Sequence, residues 1–227
     1  AKGISQDDIV EARDGGFGDK VDLVFSSPYA ISNRKELNKI FALARWKPKM
    51  FGEGDVAFFN LASGAVQNIN DFKTACTVSR DSSDKGYVNT FNHVGAQCFI
   101  TAIFNDEIAD FIGDLHELHN MPELVSGEFS EQQWLDSNNN PVDNYVDMIN
   151  NELGQVLGNQ LKQKHSITQK TTWTPELLAS FLNDIQSYYA WSFGLSFKPF
   201  DASEQRLQRY ASKINHVMAG IPMAESN

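Results

Sequence analysis

The chain has 227 residues, 41% of them hydrophobic and 11% aromatic, and a formal net charge of −10. That is enough apolar material for a packed core, and it excludes wholesale disorder. The acidic balance, with no basic stripe, argues against binding nucleic-acid duplexes, which relies on displacing counterions from phosphates. Cys76 and Cys98 allow one disulfide at most, and no CxxC motif supports a thiolate zinc or redox site.

Helical periodicity dominates the chain. Ser5 to Arg13 suits a short helix, broken by the glycine-rich run from Gly15 to Gly18. Ser27-Pro28 opens a second, with Leu37, Ile40, Phe41 and Ala44 at helical spacing and Lys47-Pro48 ending it. Phe58–Val66 and Phe72–Val78 are short apolar segments that fit either helix or a hairpin between Asp55 and Val78. A loop from Arg80 to Gly86 follows.

Tyr87 to Asn105 runs for nineteen residues without Asp, Glu, Lys or Arg in a protein that is 21% charged. A helix apolar nearly all round is either central to a core or spans a membrane. Asn89, Asn92, His93 and Gln97 make a span costly, so the segment is expected at the centre of a core. Asn105 caps the next helix, whose apolar face is Ile108, Phe111, Ile112 and Leu115. After a polar loop, a long helix is expected from Val142 to Gln163. Thr174-Pro175 opens another, and a last one spans Ser203 to Ala219.

The expected fold is therefore one all-α domain of about seven helices around a buried uncharged helix, with a small irregular or β element possible in the N-terminal third. Residues 1–86 form its helical or irregular first part. Residues 87–163 carry a three-helix motif region, and 164–227 pack on it.

Three of these helices carry unusual polar residues. Asn89 and His93 share a face of the uncharged helix. His116 and Glu117 follow the apolar stripe of the next. On the long helix, Asp143, Asp147, Asn150, Asn151, Gly154 and Gly158 fall within roughly 100° of one another at about 100° per residue. These are poor helix formers, so helix stability did not select them. Val142, Val146, Ile149, Leu153 and Leu157 form a separate apolar stripe, expected to face the core, while Asn144, Glu152, Gln155 and Asn159 are expected to face solvent.

Imidazole with carboxylate binds a zinc-like divalent metal or performs acid–base chemistry. The expected catalytic residues are His93, His116, Glu117 and Asp147, of which His93, His116 and Asp147 are metal-ligand candidates. Asn89, Asp143, Asn150, Asn151 and Gly154 are expected to bind substrate or support these groups. A metal-free pair, Glu117 with Asp147, suits glycan cleavage instead. The competing reading is a non-enzymatic binding or structural module in which the polar stripe is a buried packing network.

The order Asn-x3-His, Asp-x-His-Glu and Asp-x2-Asn-Asn-x2-Gly resembles an uncharacterised bacterial domain often found at the C-terminal ends of secreted, toxin-like proteins. The matching pieces are Asn89 to His93, Gly113 to Glu117 and Asp147 to Gly154, about a third of the chain. The family usually has Arg where this chain has Asn92, and His where it has Ile149. A fainter likeness joins GDLHELH to helical zinc phospholipases C and P1-type nucleases, whose metal-binding His is replaced here by Asp110. The resemblance implies where a site lies and leaves its reaction open. Together with a chain that starts at Ala1 rather than Met, it leads to the expectation of an exported, toxin-like protein with an immunity-type protein as partner, and the His, Glu and Asp groups lead to that of a hydrolase. Its substrate would be a phosphodiester, a phospholipid or cell-wall material.

Overall fold

The computed structural model describes residues 27–76, 81, 86–137 and 139–220. The expected helix from Ser5 to Arg13, the glycine run after it, Val78 and most of the Arg80–Gly86 loop lie outside the described residues. Among the described residues the fold is all-α, with seven helices of ten residues or more. No hairpin forms between Asp55 and the end of the described segment. That stretch is helical at Phe58–Gln67 (α4) and Phe72–Ala75 (α5), and among the described residues the only β pairing is an isolated bridge between Ile69 and Phe197.

Local chemistry accounts for the helix starts. Ser27 Oγ accepts from the Ala30 amide, and Pro28 stands at the first position of α1 (Pro28–Ser32). Asn33 interrupts what periodicity predicts as one helix, and α2 runs from Arg34 to Ala44. Leu37 and Ile40 enter the core as expected, whereas Phe41 stays half-exposed. The one-turn α3 (Pro48–Phe51) follows. Asn105 Oδ1 accepts from the Ile108 amide to start α7 (Asp106–Asn120). Further on lie α8 (Glu131–Leu135), α9 (Pro141–Lys164), α10 (Pro175–Phe193) and α11 (Gln205–Met218). Asn140 and Thr174 cap α9 and α10 with their side-chain oxygens.

The uncharged segment is α6 (Tyr87–Ile103), and it is central: every residue from Gln97 to Ile103 is buried. Phe91 stacks on Tyr189 of α10 at 3.9 Å between ring centroids, and Phe99 meets Phe181 and Tyr210. Each such buried ring contributes about 1.5–3 kcal/mol of burial free energy. Cys98 is buried in this helix as a free thiol and Cys76 is also free, so no disulfide forms.

Helix α9 is turned over relative to its hydrophobic pattern. Asn150, Asn151, Gly154 and Gly158 are buried against its neighbours, and Asn144, expected in solvent, is buried too. Val142, Val146, Ile149 and Leu153, expected in the core, are exposed, and only Leu157 of that stripe is buried. The glycines supply the reason. A Cβ at Gly154 would lie 2.6 Å from Val94 O of α6, and one at Gly158 would lie 2.7 Å from Cys98 O. The two backbones approach more closely than any larger residue permits, giving α6 and α9 a broad contact that the Val/Ile face has no means to match.

Candidate functional site

The three motif helices meet. From α6 come Asn89 and His93, from α7 His116 and Glu117, and from α9 Asp147 and Asn151. Asn89 donates to Asp147 Oδ1 at 2.9 Å. Asp147 Oδ2 lies 3.6 Å from His93 Nε2. On the other side of the ring, His93 Nδ1 is 3.0 Å from Asn151 Oδ1, and the Asn151 amide donates to Glu117 Oε1 at 3.2 Å. Glu117 Oε1 is itself 3.5 Å from His93 Nδ1. The result is a continuous polar chain across three helices with the His93 imidazole at its middle.

Asn151 and Asp147 each offer an acceptor to one ring nitrogen. A neutral His93 donates to only one of them, and the lone pair of its other nitrogen faces an oxygen. Because the ring lies between Glu117 and Asp147, the two carboxylates do not face each other across an open gap. A metal-free glycosidase pair needs such a gap, so that chemistry is not supported.

Burial sets the charge states. Glu117 is 1% exposed, and burial, reinforced by nearby Asp147 and opposed by the Asn151 hydrogen bond, pushes its carboxyl up to about 8. The His116 ring centroid is 5.9 Å from that of His93. His116 is exposed to solvent, yet the protein on its other side, helped by His93, Arg45 and His119, lowers its pKa to about 4. At neutral pH His116 is thus an uncharged imidazole, the form that binds metal. One nitrogen from each of His93 and His116 and one oxygen of Glu117 all lie within 4.8 Å of one another. This two-histidine, one-carboxylate set differs from the expected ligands by exchanging Asp147 for Glu117. Asp147 instead stands behind the His93 ring.

His93, His116 and Asn151 open on a cleft of about 490 Å3. Its opposite wall comes from Arg45, Trp46 and Phe59, residues of the first third that sequence reasoning left unassigned. Asn60 Oδ1 accepts from the Trp46 indole at 2.6 Å and from the Ala57 amide at 2.8 Å, which fixes the indole in that wall. Asn92 and Gln97 also line the cleft, and their Oδ1 and Oε1 are buried without a hydrogen-bond partner. In the sequence Gln97 stands out only as a polar residue on an apolar helix, and Asn92 also as the position where the resembled family carries Arg.

The remaining expected site residues have other places. Asp143 bonds the capping residue Asn140 at the start of α9. Asn150 is buried with its Nδ2 unpartnered and does not line the cleft. Gly154 lies against Val94 and Gln97, where it serves helix contact. Among the described residues no helix is long and apolar enough to cross a membrane. Compared with family models, with curated proteins and with solved structures, the chain matches none of them.

Proposed function

We propose that the protein is a hydrolase that activates water at the base of this cleft, with a zinc-class divalent ion held by His93, His116 and Glu117. The observation that carries the reading is the convergence of those three donors within 4.8 Å beside an open cleft. Three protein ligands leave one coordination position for water, whose pKa such an ion lowers toward neutrality. The donor set fits in kind. In span it is wide, since tetrahedral zinc keeps its donors about 3.3 Å apart; His116, at the solvent edge, is the side chain with room to close in. Asp147 behind the His93 ring and Asn151 on Glu117 orient two of the three ligands, as groups behind a metal ligand do. Arg45 at the mouth supplies a positive charge for an anionic substrate. An exported, toxin-like role with an immunity-type partner is part of this proposal and rests on the sequence resemblance alone.

The test is metal content and hydrolysis measured together on the full chain. After incubation with zinc and desalting, one equivalent is expected in the wild type and none in His116→Ala, with both equally folded by circular dichroism. Hydrolysis of a phosphodiester, a phospholipid or peptidoglycan is expected to follow the metal. A folded wild type that retains no metal and cleaves none of the three overturns the reading. One observation favours a second reading: Glu117, Asn150 and Asn151 are all buried between helices, as a packing network requires. That network predicts variants that lose stability but no activity, there being none to lose.

A further inference from the structure

The exposed face of α9 carries Val142, Val146, Ile149, Leu153 and Val156 at intervals of four, three, four and three residues. Ile149 is 58% exposed and Val156 56%. A four-three apolar repeat is the seam a helix presents to another helix, and a stripe this regular is not expected on a face meant for water. The pattern is also nearly symmetric about Ile149, with valine at both ends.

We propose that α9 is the two-fold interface of a homodimer, in which this stripe packs antiparallel against its copy in a second chain. A two-fold axis through Ile149 places Val142 against Val156 and Tyr145 against Leu153, so one surface complements itself. The same register sets Asp143 opposite Gln155 and Glu152 opposite Val146, so no acid confronts an acid although each chain carries a net charge of −10.

The patch is also large enough. It continues past the start of α9 through Tyr145, which meets Phe129, and Phe129 meets Trp134 beside the exposed Leu135. Covering the apolar side chains from Trp134 to Val156 removes on the order of 800 Å2 per copy, the size of an ordinary stable interface. The seam lies on a different face of α9 from Asp147 and Asn151, so the proposal does not depend on hydrolysis.

The experiment is sedimentation of the full chain with variants at the axis. The expected result is a species of twice 25.4 kDa that Ile149→Glu converts to folded monomer. In a Cys76→Ser background, oxidation of Ile149→Cys is expected to cross-link two chains, whereas Leu153→Cys alone does not. Leu153→Cys does cross-link when mixed with Tyr145→Cys. A wild type that stays monomeric throughout a dilution series overturns the proposal. So does a dimer that survives Ile149→Glu, and so does a Leu153→Cys chain that cross-links to itself.

Discussion

Asn151 of α9 stands between His93 and Glu117, its carbonyl oxygen 3.0 Å from the imidazole Nδ1 and its amide 3.2 Å from the carboxylate. One buried side chain thus fixes the position of two groups on two other helices. It does so while 5% exposed, where a lost hydrogen bond is not replaced by water.

Replacing Asn151 with Leu is expected to leave both partners unsatisfied and to cost about 1–3 kcal/mol for each buried group. Urea unfolding measures this. Under the hydrolase reading, Asn151→Leu also loses metal affinity by about 10–100-fold, the usual cost of removing a group that orients a ligand. Asn151→Asp keeps an acceptor for His93 but sets a carboxylate beside Glu117, and it is expected to raise the Glu117 pKa further.

Stability should depend on pH in two opposed ways. The folded pKa of Glu117 is raised to about 8, so the folded state holds its proton longer than the unfolded chain does. Its contribution is present at low pH and is lost as pH rises toward and through about 8. The folded pKa of His116 is lowered to about 4, so its contribution is lost as pH falls from the ordinary histidine range toward 4. The two slopes offset each other between about pH 4.5 and 6.5, so the metal-free protein should hold a plateau of stability there and weaken from about pH 6.5 to 8. Melting temperature against pH reads this, and Glu117→Gln is expected to abolish the alkaline decline.

Gly154→Ala and Gly158→Ala each drive a methyl group to within 2.7 Å of a backbone oxygen on α6. Backbone does not swing aside as a long side chain does, so α6 and α9 must separate. Each substitution is expected to cost about 1–3 kcal/mol despite alanine's better helix propensity. A neutral or stabilising result in chemical denaturation would mean that the two helices are not in that contact.

Much of the fold was legible because the helix signals are local. Ser27, Asn105 and Thr174 cap the helices they precede, and the absence of charge from Tyr87 to Asn105 marks the central helix. The meeting of His93, Glu117 and Asp147 was legible from odd residue choices on three successive helices. The orientation of α9 was not. Hydrophobic periodicity points Val146 and Ile149 inward, but the contact is decided by how near two backbones come, and that depends on α6 as much as on α9. The cleft wall was illegible for a related reason, since Arg45 and Trp46 reach His93 only through tertiary folding.

Lys213 of α11 tests how that wall is held. Its ammonium, 2% exposed, donates to Arg45 O at 2.9 Å, Val56 O at 2.8 Å and Asp55 Oδ2 at 2.9 Å. Lys213→Ala strands the buried Asp55 carboxylate and is expected to cost about 3–5 kcal/mol. Lys213→Met with Asp55→Leu removes both charges but leaves the Lys47 and Val56 amides and the Arg45 and Val56 carbonyls without these partners, so it should recover only part of that. The readout is urea unfolding followed by tryptophan fluorescence, which also reports Trp46.

The same ammonium ties the two ends of the described chain together. A peptide cut to the three motif helices would keep every acid, amide and imidazole of the site while losing Arg45, Trp46 and Phe59, and with them any wall for a substrate to rest on. The polar chain and the wall opposite it are encoded thirty or more residues apart. A lysine 157 positions beyond Val56 fastens that wall to the last helix of the fold.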